Sequence, residues 1–222
     1  MILLIIWMGK ECRELHQFNY EGRIKELHSS NKTVIHEKLK DKHPLLIHNI
    51  ISPTMTIKEI LQHNPGYILR DSDKMILLDT FNDKDMSIYK SPTLFQDLGY
   101  TQELLKLSEP FETTMSCHKQ GYLSFYKGFH TINTDQCKHN VNLLSVISGS
   151  SILYLINPKH GEEIKGLTND KLKKWSHKIV LKPGSILSVP SEWYYFYECK
   201  GDVIMYNYES DIYGTYLYNL LR

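Results

Sequence analysis

The run Lys178-Ile179-Val180-Leu181-Lys182-Pro183-Gly184-Ser185-Ile186-Leu187-Ser188-Val189-Pro190, continued by Ser191-Glu192-Trp193-Tyr194-Tyr195-Phe196-Tyr197, decides the fold class of this chain. Two short apolar stretches are divided by Pro-Gly, and Pro190 stops the second before an aromatic run begins. β-Branched and aromatic side chains suit a pleated surface, whereas Pro and Gly interrupt a ladder. The same texture extends outward through residues 122–126, 143–147, 152–156 and 203–208, separated by Gly149, Pro158 and Gly201. Shorter runs at 67–69, 75–78 and 86–89 are set apart by Asp, Asn, Ser and Lys. Many short strands at this spacing predict a sandwich or barrel.

Upstream, the pattern is mixed. Residues 9–40 are charged and helix-compatible, with Leu15, Phe18, Ile24 and Leu27 at near-helical spacings. Pro44-Leu45-Leu46-Ile47-His48 has strand length, and Thr56-Ile57-Lys58-Glu59 reads as a capping box opening a helix that ends by Asn64-Pro65-Gly66. A further helical patch covers 101–107. The chain thus divides into an N-terminal helical or extended segment, 1–40, and a β domain, 41–222. No repeat or low-complexity stretch interrupts it.

The 222 residues carry 26 Lys plus Arg against 25 Asp plus Glu. That balance offers no electrostatic footprint for nucleic acid. The four cysteines, Cys12, Cys117, Cys137 and Cys199, form no C-x-x-C pair, which favours a reducing compartment. Residues 1–8 are apolar apart from the Trp7 ring nitrogen, but a spanning helix needs about 20 such residues. The run also lacks the basic start and cleavage site of a signal peptide. A soluble intracellular protein is expected, with a truncated anchor as the lesser alternative. Alanine is absent while Ile, Lys, Asn and Tyr abound, a bias of AT-rich genomes such as those of large viruses of protists.

The order of the punctuation resembles the JmjC and cupin-like oxygenases. The matching pieces are Asn133-Thr134-Asp135, then Asn142 with a hydrophobic strand, Gly149-Ser150-Ser151, a second apolar strand ending at Asn157-Pro158, and the 178–195 run quoted above. The resemblance covers roughly residues 40–208. It implies a double-stranded β-helix (cupin or jelly-roll) with N-terminal helices on one side.

Active relatives hold Fe(II) with two imidazoles and one carboxylate and leave room for 2-oxoglutarate and dioxygen. Carried over residue by residue, the first imidazole falls on Asn133, the carboxylate on Asp135 and the second imidazole on Tyr195. The lysine that pairs with 2-oxoglutarate falls on Ser151, while Asn142 and Trp193 line the pocket. A phenol with an ordinary pKa of about 10 is a poor neutral-pH ligand. Serine, for its part, supplies no charge to a carboxylate. Three of four functional positions are therefore altered. His130 and His139 are the possible substitute ligands; on a regular strand His130 faces away from Asp135, and a bulge would reverse that.

The expectation is a catalytically degenerate cupin-like domain with no cofactor, acting as a binding or structural module for a protein or small molecule. The alternative is an Fe(II)/2-oxoglutarate hydroxylase with atypical ligands, and a third reading is a sugar- or small-molecule-binding cupin. The aromatic tail, 211–222, is expected to pack on the barrel or on a second copy in a homodimer.

Overall fold

A computed structural model describes residues 6, 9, 10, 21–71, 74–82 and 86–221. The helical spacing of Leu15 and Phe18, Cys12, and the apolar run 1–8 apart from Ile6 lie outside the described residues. The protein is mainly β.

The chain enters through β1 (Lys25–Leu27), α1 (Lys32–Leu39), β2 (Leu45–Ile47) and α2 (Ile57–His63). Asn31 caps α1 by accepting from the Thr33 and Val34 N–H groups. Thr56 and Glu59 close both bonds of the capping box on α2. A hairpin, β3 (Ile68–Asp71) and β4 (Lys74–Leu77), precedes β5 (Met86–Ser91), α3 (Pro92–Asp97) and α4 (Thr101–Ser108). The expected helix at 24–27 is instead β1 and its approach. Ile24 packs on the core between the sheets and Leu27 on the core beneath the helices. Residues three apart face opposite sides of a strand, so their helix-like spacing serves two cores. Across residue 40, β1 pairs in parallel with β2, and Ile35 of α1 is wholly buried.

Eight strands follow: β6 (Ser116–Lys127), β7 (Phe129–Gln136), β8 (Val141–Ser148), β9 (Ser151–Ile156), β10 (Ser176–Leu181), β11 (Ile186–Ser188), β12 (Tyr194–Lys200) and β13 (Val203–Ile212). They pair antiparallel as one long folded ribbon: β9 with β10, β8 with β11, β7 with β12 and β6 with β13. The ribbon passes repeatedly between two sheets. One sheet runs β1-β2-β11-β8-β13-β6-β5, the other β10-β9-β12-β7.

Alternation divides each strand between two environments. On β13, Met205 joins Tyr126, Val146, Leu153, Trp193 and Tyr197 between the sheets. Its neighbours Ile204 and Tyr206 face Ile35, Ile60, Leu94, Leu104 and Phe111 on the helical side. A short helix, α5 (Asn169–Leu172), and the segment around Ile164 cover the outer face of the second sheet, where Tyr154 and Phe196 stack at 4.7 Å. The last helix, α6 (Tyr213–Leu221), lies against β13 and β6, with Tyr216 stacked 5.1 Å from His118. Cys117, Cys137 and Cys199 are free thiols. Among the described residues no helix is long and apolar enough to cross a membrane.

Candidate functional site

Strand β7 carries the first two candidate residues, and it is irregular where they lie. Tyr195 pairs with Asp135, but Tyr197 pairs with Ile132, so β7 takes up an extra residue between them. The bulge changes which side chains point inward. Asp135, Ile132 and His130 stand opposite the buried Tyr195, Tyr197 and Cys199, whereas Asn133 is left exposed at the bulge. Asn133 and Asp135 border a shallow groove of about 430 Å³ with Tyr89 and Thr131, but Tyr195 does not line it. Of the three expected positions, Asp135 thus meets Tyr195 through a hydrogen bond and Asn133 across the groove.

What meets Asp135 is a cation from another strand. Lys90 Nζ lies 3.2 Å from Asp135 Oδ2 and 2.7 Å from Glu209 Oε1 of β13. The Tyr89 and Tyr195 hydroxyls donate to the same Asp135 oxygen, each at 3.3 Å, and the Gln136 N–H donates to Oδ1 at 2.9 Å. The ammonium stands 5.7 Å from the ring centres of Tyr89 and Tyr195 and 6.0 Å from that of Tyr122, within cation–π range. A bulge on β5 aims it there: Ile88 pairs with Phe125 and Ser91 with Leu123, so Tyr89 and Lys90 together oppose Ser124. Lys90 adopts φ 43°, a left-handed conformation uncommon outside glycine, and its N–H donates to Ser124 Oγ at 2.8 Å.

The charges form a chain. His139 Nδ1 is 2.7 Å from Asp211 Oδ2, and its Nε2 is 3.4 Å from Glu209 Oε2, so Glu209 links His139 to Lys90 and thence to Asp135. Burial opposes the charge on Lys90, but Glu209 and Asp135 outweigh it and hold the ammonium protonated. Burial likewise disfavours the Asp135 carboxylate; Lys90 and the Gln136 and Tyr195 donors overcome that and keep its pKa below the ordinary 3.8. Tyr195 is pushed the other way, its phenol raised well above the usual value chiefly by burial. It is a neutral hydrogen-bond donor here.

The remaining candidates have structural partners. Ser151 pairs with Cys199, four residues along β12 from Tyr195, or about 13 Å at the rise of a strand. Its hydroxyl donates to the Glu198 carbonyl at 3.1 Å. Between Ser151 and Asp135 lie Tyr126 and Tyr197, both fully buried, with their hydroxyls 2.7 Å apart. His130 shares the Ser151 end and meets the Lys127 carbonyl through Nε2 at 2.7 Å, away from Asp135. The bulge thus turns His130 inward, yet at the wrong end. Asn142 and Trp193 are packed inside the molecule. The Asn142 amide donates to the His139 and Val189 carbonyls, and Trp193 is wholly buried in the core between the sheets.

Sequence reasoning missed Lys90, Glu209, Tyr89 and Asp211. By composition the 86–89 run reads as a strand that ends before Lys90, and nothing local marks a lysine as inward-facing. A larger concavity of about 460 Å³ opens elsewhere, bordered by His36, Lys40, Lys42, Phe111, Asn140 and Pro190. No protein-family profile matches the chain, and no curated protein matches it either.

Proposed function

We propose that this chain is a double-stranded β-helix of the cupin or JmjC-like kind whose metal corner has become an internal lysine–carboxylate lock, and that it serves as a binding or structural module. The strand order supports the fold reading. A long antiparallel ribbon wound so that its two arms interleave in two facing sheets is the arrangement this fold requires.

One observation carries the functional reading: the Lys90 ammonium sits on the carboxylate that would hold iron. A metal ion would have to displace a covalently tethered cation shared by two carboxylates. It would find two carboxylates, neutral phenols and, among the described residues, no group of metal-ligating side chains that joins an imidazole to Asp135. The 2-oxoglutarate path fares no better, since Tyr126 and Tyr197 fill the space toward Ser151 and serine offers no positive charge. These residues do not fit an Fe(II)/2-oxoglutarate centre. The 460 Å³ concavity is of the size that takes a small ligand, and Lys40, Lys42 and His36 beside Phe111 favour an amphipathic anion there.

The test is anaerobic incubation with Fe(II) and 2-oxoglutarate. The parent should not consume 2-oxoglutarate above buffer, its melting temperature should not rise with that compound, and Asp135→Ala should leave any bound metal unchanged. Lys90→Met combined with Tyr195→His removes the tethered cation and adds an imidazole. That variant should retain more Fe(II) than Tyr195→His alone. Turnover of 2-oxoglutarate by the parent, abolished by Asp135→Ala, would establish the oxygenase alternative instead.

A further inference from the structure

Far from Asp135, the edge of the seven-stranded sheet gathers a different set of ligand-type side chains. Glu26 and His28 are two apart on and just beyond β1, so they share a face. His48 follows β2, and the parallel register Glu26 to Leu46 and Leu27 to Ile47 brings it beside His28 on that same face. This is the face of Ile24 and Leu46, which look toward the second sheet. One ligand atom from each of Glu26, His28 and His48 lies within 4.8 Å of the other two.

The backbone that presents them is well held. The His48 N–H donates to the Leu27 carbonyl and the Lys25 N–H to the Pro44 carbonyl, each at 2.9 Å. Gly22, at φ 68°, passes so close to Asn157 and His177 that a Cβ would lie 3.3 and 3.4 Å from their side-chain nitrogens. The imidazoles of His28 and His48 stack with centres 4.9 Å apart. His48 Nε2 is 3.4 Å from Glu26 Oε2. That nitrogen is shielded from solvent and, among the described residues, makes no hydrogen bond. A shielded ring nitrogen that faces a carboxylate oxygen yet makes no hydrogen bond calls for an explanation, and an ion between them is one.

We propose that Glu26, His28 and His48 form a site for one divalent first-row transition-metal ion, which ties the edge strand β1 to the rest of the sheet. Two imidazoles and a carboxylate suit Zn(II) and its neighbours in that row. In a tetrahedral site with bonds of about 2.0–2.2 Å, ligand atoms stand about 3.3 Å apart. The His48–Glu26 separation already meets that spacing, and His28, an exposed side chain at a strand end, closes the rest by a change of rotamer. Three protein ligands leave the fourth position to water or to a ligand that arrives from solvent.

Titration of the full-length, chelator-treated chain with Zn(II), followed by calorimetry, tests this, with Co(II) as a visible-absorption probe. One saturable equivalent should bind, with the Co(II) spectrum of a four- or five-coordinate nitrogen–oxygen site. Loss of an outer-shell partner costs about 10–100-fold in metal affinity, so His28→Ala and His48→Ala should each cost at least that. Asp135→Ala should change nothing, which separates this site from the lysine-locked corner. Melting curves of the metal-free variants check that they are folded, and Glu26→Gln provides a near-isosteric variant that should also weaken binding. Absence of saturable Zn(II) binding, or equal affinity in the parent and in folded histidine variants, would overturn the proposal.

Discussion

Lys90 is the residue whose placement gives the Asp135 corner its character, and its neighbour once removed, His139, gives it a pH response. Burial works against protonating His139, but the Asp211 hydrogen bond and the Glu209 charge outweigh it and raise its pKa above the ordinary 6.5. A histidine more easily protonated folded than unfolded contributes stability that is complete below the unfolded pKa and lost as pH rises through the folded one. The urea midpoint of the parent should therefore fall as the pH is raised from below the ordinary 6.5 to well above it, and His139→Gln should lose most of that slope. A parent flat across that window would show that His139 does not couple to folding. Of this corner, Asp135, Tyr195 and His139 were legible in the sequence. Lys90 reaches Asp135 across 45 positions. No spacing rule links residues that far apart. The bulge that exposes Asn133 was no more readable, because it depends on how β7 meets β12.

At the scale of elements, local chemistry was the dependable guide. The Thr56–Glu59 capping box was readable because both its bonds lie within one turn. Of the strands after residue 116, all but β7 announced themselves by composition. Packing between elements was not readable, and β6 shows why. Its Gly121 lies under the Phe95 ring of α3, where an added Cβ would come within 2.4 Å of Phe95 Cζ. Gly121→Ala must push that ring out of a well-filled layer, at a cost of about 1–3 kcal/mol. Urea denaturation should show the loss, and Phe95→Leu in the same chain should recover part of it. Additive losses in the double variant would mean that the ring and the glycine do not share the space. Ile24 and Leu27 teach the same lesson in reverse: a helical interval was satisfied by a strand, because two cores lie on either side of it.

Over the whole molecule, what the sequence conveyed was the alternation of strand and breaker, which follows from backbone chemistry. It could not convey that the space between the sheets is filled by aromatic side chains. Trp193, Tyr197 and Tyr126 would read the same on a strand that lined an open cavity. The charge balance was legible too, but it describes the surface and is silent on a cation held inside.

The paired ribbon has a consequence in time. Strand β13 lies inside the seven-stranded sheet, between β8 and β6, yet among the described residues it is the last strand in sequence. During synthesis β6 lacks its ribbon partner until residues 203–212 leave the ribosome. Assembly dominated by contacts so distant along the chain is slow, on the order of milliseconds to seconds for β domains. A version ending after Lys200 should show no cooperative melting and should be digested rapidly by protease, and native-like resistance would refute that order of events. Nascent chains must meanwhile carry unpaired edges such as β6 and β8, so the interval before release is when this protein most needs protection from its neighbours.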